Sequence, residues 1–191
     1  MPDRAPDALL ARLQRRGAFG GRPLGTEDAP GLSYDDALDA LLAGLGTPLP
    51  PDPEGFDPFV PGAIQQAWLE RMHTTEAPLA ERLTFFWHGH FATSNAKVQD
   101  AGLMWDQMRL FRERGHGRFA DLVRAVVRDP ALLRFLDGDA NRKGHPNENL
   151  GRELMELFTL GVGHYDETDV RAVARALTGH GTRGRRYRYV E

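Results

Sequence analysis

Hydrophobic residues recur at helical spacing in one segment after another from Pro61 onward. After Pro78, which suits a first helical turn, apolar or aromatic positions follow the i, i+3, i+4, i+7, i+8 pattern of one helix face. They are Leu83, Phe86, Trp87, His90 and Phe91. Similar patterns fill residues 119–127, 132–136, 150–158 and 170–177. This spacing predicts an all-α fold over the last two thirds of the chain.

The N-terminal third is dominated by turn-forming residues. Proline and glycine are concentrated between Gly17 and Gly31 and again between Gly44 and Gly62, which predicts two long loops. Between them, Ser33 is placed to cap a helix that carries Leu38 and Leu41.

The last residues alternate between arginine and aromatic or apolar side chains with a period of two, which predicts a strand. A strand needs a partner, and none is evident upstream, so we expect an incomplete C-terminal strand. The whole chain, residues 1–191, is interpreted as a single multi-helix domain. It has a loop-rich part (1–60), a helical core (61–180) and a basic strand-like tail (181–191).

Composition narrows the function classes. The 191 residues carry a formal net charge of -3, so the protein has no overall positive charge that would attract nucleic acid. Cys is 0, which excludes disulfides and thiolate chemistry. The N-terminus lacks the apolar segment of a signal peptide, and no run is long enough to span a membrane. A soluble, cytoplasmic protein is the default expectation.

Oxygen-bearing side chains follow one another in the segment after Leu136. Counting Asp137 as position 1, Asp139, Asn141 and Glu148 fall at positions 3, 5 and 12, the ligand spacing of a calcium-binding helix-loop-helix. Position 6 is Arg142 rather than the glycine that this motif needs. One hypothesis is a divalent cation, calcium or a transition metal, held by Asp137, Asn141 and Glu148. The alternative is a structural loop in which Asp137 and Asn141 cap backbone groups and Glu148 pairs with Arg142 or Arg152.

The next helix presents a polar face directly after this loop. Asn149, Arg152, Glu153 and Glu156 lie within about 100° of arc, and Arg152 stands at i,i+4 spacing from both Glu148 and Glu156. If this face is sheltered, Glu153 and Glu156 could act as acid and base or hold a metal, with Arg152 or Asn149 as an anion contact and His88 as a proton shuttle. The alternative is a solvated face stabilised by ion pairs.

Two histidines stand one residue apart, at His88 and His90. On a helix they point about 200° apart, so they should not bind one metal together. His90 shares the apolar face with Trp87, which predicts a buried, hydrogen-bonded histidine.

Several blocks of the sequence resemble the bacterial family known as domain of unknown function 1800. They include Phe86-Trp87-His88, Asp129-Pro130-Ala131, Pro146-Asn147-Glu148-Asn149, Arg152-Glu153-Leu154-Met155-Glu156-Leu157-Phe158-Thr159-Leu160-Gly161 and Ala174-Arg175-Ala176-Leu177-Thr178-Gly179. The resemblance implies a mainly α-helical fold but no established activity. It also implies a sulfatase-like protein partner encoded nearby and an association with the cell envelope.

Members of this family usually continue beyond the Leu-Thr-Gly block, so the chain resembles a member truncated at its C-terminus. Some relatives have histidine where this chain has Phe158, which counts against metal chemistry here.

Three functions follow from these observations. The first is a binding or scaffolding domain with a polar network at residues 137–156, in which Asn141, Asn147, Glu148 and Asn149 make the contacts. The second is a metal-dependent or carboxylate-based hydrolase whose site needs residues beyond this chain. The third, nucleic-acid binding through the arginine-rich tail, is the weakest, because four arginines in one strand are more often a solvated face.

Overall fold

A computed structural model describes residues 6–19 and 33–190. The fold is mostly helical with a small C-terminal hairpin, which confirms the predicted fold class. Its contacts group into two compact units, residues 1–86 and 87–191. The described helices are all too short or too polar to cross a lipid bilayer. The predicted loop between Gly17 and Gly31 lies largely outside the described residues, and the single-domain interpretation stays a prediction.

Helices of the first unit surround a small set of buried side chains. They are α1 (Pro6–Gly17), α2 (Tyr34–Ala43) and α3 (Ala63–Thr74), followed by the start of α4 (Pro78–Phe91). Ser33 caps α2 as predicted, because its hydroxyl accepts a hydrogen bond from the Asp36 amide at 3.1 Å. Leu41 of α2 is buried. Helix α1 was not predicted.

The second unit holds the remaining helices and the hairpin. The helices are α5 (Asn95–Val98), α6 (Ala101–Arg114), α7 (Phe119–Val126), α8 (Pro130–Phe135), α9 (Asn149–Glu153) and α10 (Glu167–Ala176). Apolar side chains from the end of α4, from α6 to α9 and from the segments after α8 and α9 meet in one core, so the helical spacing in the sequence identified most core-forming segments. The core residues are Phe91, Phe111, Leu122, Val126, Leu132, Leu133, Leu136, Leu150 and Phe158.

A buried carboxyl stands at the start of α8. Asp129 is 3% exposed and accepts hydrogen bonds from the Leu132 amide at 2.9 Å and from the Gln107 side chain at 2.6 Å. Burial raises the pKa of Asp129 to about 6, against the lowering effect of these hydrogen bonds. Asp129 therefore caps α8 at the cost of holding a charge in a dry environment.

The C-terminal tail forms one strand of a two-stranded antiparallel hairpin. β1 (His180–Arg183) pairs with β2 (Arg186–Tyr189), with His180 opposite Tyr189. The strand prediction for the tail is confirmed, but the expectation that it lacks a partner was wrong. The partner is the segment immediately before it, reached by a two-residue turn in which Gly184 adopts a φ of +60°.

Arg185 fixes the tip of the hairpin to the start of α6. Its guanidinium lies 3.3 Å from an Asp100 carboxylate oxygen and 3.5 Å from an Asp106 oxygen. It covers Gly102 so closely that a Cβ there would overlap it. Arg134 adds a hydrogen bond of 2.8 Å to the carbonyl of Gly184. Contacts at its turn thus position the hairpin against the helices.

Candidate functional site

The segment between α8 and α9 is the loop that the sequence singled out. It opens with Asp137 at a φ of +57°, which redirects the chain into the short 3-10 turn Gly138–Ala140. Arg142 and His145 then close a tight turn through two backbone hydrogen bonds, of 3.2 and 2.9 Å. These features make the loop compact, so its side chains have defined directions.

The side chain of Asn141 holds this loop in place through hydrogen bonds. It is 3% exposed, and its amide nitrogen donates to the carbonyl of Ala174 in α10 at 2.7 Å. Its amide oxygen accepts from the Asn147 backbone amide at 3.1 Å and from the Thr178 hydroxyl at 3.4 Å. The predicted backbone-capping role of Asn141 is confirmed, and the buried amide is well satisfied.

Two further asparagines shape the end of the loop. The side chain of Asn147 accepts from the Asn149 amide at 2.9 Å, a local turn that leads into α9. The Asn149 side chain donates to the Leu136 carbonyl at 3.1 Å and approaches Asp137 at 3.4 Å. Asp137 also pairs with Lys97 at 2.7 Å. The start and end of the loop are therefore held against each other.

Asp139 ties the loop to the hairpin. One carboxylate oxygen accepts from the Thr182 backbone amide at 2.5 Å, and the other accepts from the Thr182 hydroxyl at 2.6 Å. A carboxylate with both oxygens so engaged positions β1 beside the loop. No feature of the local sequence signalled this contact.

The residues proposed as cation ligands bond to protein groups in different directions. Asp137 binds Lys97, Asn141 binds α10 and the loop backbone, and Glu148 lies 3.2 Å from Arg152. Within residues 6–19 and 33–190, no three His, Asp or Glu side chains are grouped so that they could hold a metal ion. A cation at Asp137, Asn141 and Glu148 stays a prediction.

Arg152 pairs with one of the two expected carboxylates and with a third that was not expected. It forms a two-bond ion pair with Glu167, at 2.8 and 2.9 Å, and a contact with Glu148 at 3.2 Å. Its hydrogen bonds hold the pKa of Glu167 below the ordinary value. The predicted Glu148 pair is confirmed. The predicted Glu156 pair is wrong, because Glu156 instead accepts from the Tyr165 hydroxyl at 2.8 Å.

A change of helix type explains this difference. After α9 the chain continues as a π-helix, Leu154–Thr159, in which backbone hydrogen bonds span five residues rather than four. The wider turn displaces Glu156 from its i,i+4 position and leaves Leu157 59% exposed, although α-helical spacing placed it on the buried face. Phe158 remains buried. Glu153, just before the π-helix, is half-buried and has no hydrogen-bond or ion-pair partner in the described part of the chain.

The two histidines of α4 lie in different surroundings. The Nε2 atom of His90 lies 3.1 Å from the carbonyl oxygen of Phe158 and donates to it, because a carbonyl can only accept. The His90 ring makes edge contacts with Trp87 and Phe91. The predicted hydrogen bond of His90 is confirmed, but its side chain is half-buried rather than fully buried. His88 is half-buried, and burial lowers its pKa. Catalytic roles for His88, Arg152, Glu153 and Glu156 stay predictions.

An open groove of about 550 Å³ lies where the loop, the end of α10 and the hairpin meet. Four cationic side chains line it: Arg142, Lys143, Arg175 and Arg188. The groove exists because Asn141 ties the loop to α10 and Asp139 ties it to β1. Gly179 also lines the groove, at a φ of +90°, and a Cβ there would overlap the Val190 carbonyl oxygen.

The groove has a positive character that its own residues do not neutralise. Lys143, Arg175 and Arg188 are exposed and form no ion pair with any acid among the described residues, while Arg142 donates only to the Asp139 backbone carbonyl, at 3.0 Å. Among the described residues of the lining, the one carboxylate is that of Asp139, which already accepts hydrogen bonds from Thr182. The groove is therefore suited to an anion.

An uncharged histidine completes one wall. His180 bonds to the Tyr187 hydroxyl through Nδ1 at 3.0 Å, and its ring lies 5.3 Å from the Tyr189 ring. Burial, and then the nearby charge of Arg128, lower the pKa of His180. The imidazole is thus mostly neutral at pH 7 and lies in a positive field.

Sequence reasoning missed this groove. Arg142 was considered there as a departure from the calcium motif and as a partner of Glu148, and the arginines of the tail only as a strand. The four cationic residues of the groove are up to 46 positions apart, and they come together through side-chain contacts that periodicity does not report.

Comparison with known proteins gives one match. A family model described as "Protein of unknown function (DUF1800)" matches residues 12–190. No curated protein and no solved structure matches the chain. The match spans nearly the whole chain, in agreement with the resemblance found in its motifs, and the chain therefore belongs to the DUF1800 family.

Proposed function

We propose that this protein is a binding domain whose groove takes up an anionic ligand. The observation that carries the proposal is the convergence of Arg142, Lys143, Arg175 and Arg188 on one groove. The single carboxylate among its described lining residues, Asp139, is already hydrogen-bonded. Charged side chains repel one another when they are drawn together, so such a set is stabilised by a bound opposite charge.

The polar network at residues 137–156 has a structural role in this proposal. Asn141, Asn147 and Asn149 use their side chains to bond the loop and its neighbours. These bonds hold the backbone on which Arg142 and Lys143 stand. The binding function and the scaffolding function thus belong to the same segment.

Calorimetric titration with sulfate and with pyrophosphate tests the proposal. We expect pyrophosphate to bind more tightly, because it carries more charge, and we expect added salt to weaken both. Arg175→Ala and Arg188→Ala should each weaken pyrophosphate binding about tenfold, the loss of one charge-assisted contact.

Matched controls lie on the same elements. Arg171 and Arg186 are exposed arginines of α10 and β2 that do not line the groove. Arg171→Ala and Arg186→Ala should bind pyrophosphate within about twofold of the unmodified protein. The proposal is refuted if neither anion binds, or if the groove and control variants lose affinity equally.

A further inference from the structure

We infer that the natural ligand of the groove is a nucleoside polyphosphate bound without a divalent cation, with its base against Tyr189. This inference rests on the proposed anion-binding function and adds the chemical class of the ligand. It draws on the size of the groove, the placement of its charges and the aromatic ring in its wall.

The size of the groove exceeds what a single small oxyanion needs. At about 550 Å³ it falls in the range of pockets that hold cofactor-sized molecules. The ligand should therefore extend beyond its charged group.

Charges enter the groove from three elements. Arg142 and Lys143 come from the loop, Arg175 from α10 and Arg188 from β2. Guanidinium groups pair with phosphoryl oxygens in two-bond geometry, and a lysine adds a point charge. Cations on several sides fit a chain of two or three phosphoryl groups better than one carboxylate, which offers only two oxygens.

An aromatic ring is available for the uncharged part of the ligand. Tyr189 lines the groove and is 56% exposed. His180 lies against it with an interplanar angle of 73°, which braces the Tyr189 ring. Exposed aromatic rings beside arginines are stacking platforms for nucleic-acid bases.

The residues that line the groove also indicate whether Mg²⁺ binds together with the ligand. Nucleotides usually bind with Mg²⁺, which needs carboxylate or water ligands in the site. The carboxylate that the described lining offers, Asp139, already accepts two hydrogen bonds from Thr182. The cations of the groove therefore replace Mg²⁺ as the partners of the phosphates, and Mg²⁺ in solution should compete for the ligand.

The test compares ADP with pyrophosphate, each with and without Mg²⁺, by calorimetry on the whole chain. ADP should bind about tenfold more tightly than pyrophosphate, the contribution expected of one stacked base. Mg²⁺ should weaken ADP binding. Tyr189→Leu should lower the ADP affinity to that of pyrophosphate and leave pyrophosphate unchanged, while Tyr189→Phe should keep the ADP affinity. Tyr34→Leu, in α2, is the matched control.

The outcomes are distinguishable. Equal binding of ADP and pyrophosphate, or an equal loss of both in Tyr189→Leu, overturns the inference but leaves anion binding intact. Tighter binding of ADP with Mg²⁺ also overturns it. Binding of a single-stranded oligonucleotide that depends on Arg183 and Arg186, with no binding of ADP, points instead to a nucleic-acid surface. If neither pyrophosphate nor ADP binds, the proposed function itself fails.

Discussion

The side-chain nitrogen of Asn141 donates a 2.7 Å hydrogen bond to the backbone carbonyl of Ala174, 33 residues further along the chain. The same amide accepts from the Asn147 backbone. One buried side chain thus joins the loop to α10 and closes the loop on itself. Removing it would take away the acceptor of the part-buried Asn147 amide and leave the Ala174 carbonyl with the Thr178 hydroxyl as its donor, so two hydrogen bonds are lost at once.

Replacement of Asn141 should therefore destabilise the protein strongly. We expect Asn141→Ala to lower the free energy of unfolding by about 3 kcal/mol, measured by urea denaturation. Asn95→Ala is the control, because its side chain is exposed and accepts a single bond, from the Asp100 amide at 3.0 Å. Its cost should stay below about 1 kcal/mol. Similar losses in the two variants would contradict the central role of Asn141.

Gly179 should tolerate no side chain. Its φ of +90° and its closeness to the Val190 carbonyl both oppose a Cβ, so Gly179→Ala should cost about 2 to 4 kcal/mol. Gly163 separates the effect of backbone conformation from that of steric overlap, since it has a φ of +88° but open space around it. Gly163→Ala should cost only about 1 kcal/mol. Thermal unfolding of both variants checks the difference, and equal shifts would show that backbone conformation alone matters.

Asp129 should make stability fall as pH rises. Its folded-state pKa of about 6 lies above the ordinary value of 3.8, so the folded state holds a proton that the unfolded state releases between these pH values. Asp129→Asn removes this effect and keeps a capping oxygen. The variant should match the unmodified protein near pH 4 and exceed its stability above pH 6.5, by on the order of 2 to 3 kcal/mol. Urea denaturation at both pH values checks this, and a difference independent of pH would refute it.

Arg185 should stabilise the hairpin, whereas Arg183 should not. Arg185 pairs with Asp100 and Asp106, while Arg183 is exposed and has no ion pair among the described residues. In Arg185→Ala we expect faster hydrogen exchange at the amides of β1 and β2. Arg183→Ala should leave their exchange unchanged. Equal exchange in both variants would show that the turn contacts do not hold the hairpin.

Anion binding should strengthen as pH falls. Burial and Arg128 lower the pKa of His180, and a bound anion would counter the Arg128 charge and raise that pKa. A ligand that raises a pKa binds more tightly when protons are more abundant. Sulfate suits the measurement because its own charge is constant between about pH 5 and 8. His180→Asn should abolish the dependence, and an unchanged slope in that variant would exclude His180 as its source.

Local patterns predicted much of the fold. Ser33 is a cap that acts within four residues, and α2 begins at the residue after it, as the sequence indicates. The hairpin partner was missed because His180-Gly181-Thr182-Arg183 lacks alternating apolar residues. The π-helix was missed because Leu150, Leu154 and Leu157 fit ordinary helical spacing, and the exposure of Leu157 that departs from this spacing is not visible in the sequence.

The site was predicted only in part. The structural alternative for the loop included the Glu148–Arg152 pair and the backbone bonds of Asn141, and both are observed. The backbone cap expected of Asp137 was wrong, because its carboxylate contacts the side chains of Lys97 and Asn149 instead. The groove depends instead on contacts such as Asp139 with Thr182, 43 residues apart. Such contacts depend on the directions in which side chains point. These directions leave no periodic pattern in a single sequence, so they could not be predicted from it.

The bonds made by Asn141 and Asp139 also determine what kind of binder this groove can be. Its backbone is rigidly braced before a ligand arrives, so association should require no folding of the loop. The entropy lost on binding is confined to the long, exposed arms of the arginines and Lys143. The cationic side chains of the groove can therefore change conformation while the backbone beneath them stays fixed. This combination suits ligands that share a charge pattern but differ in shape.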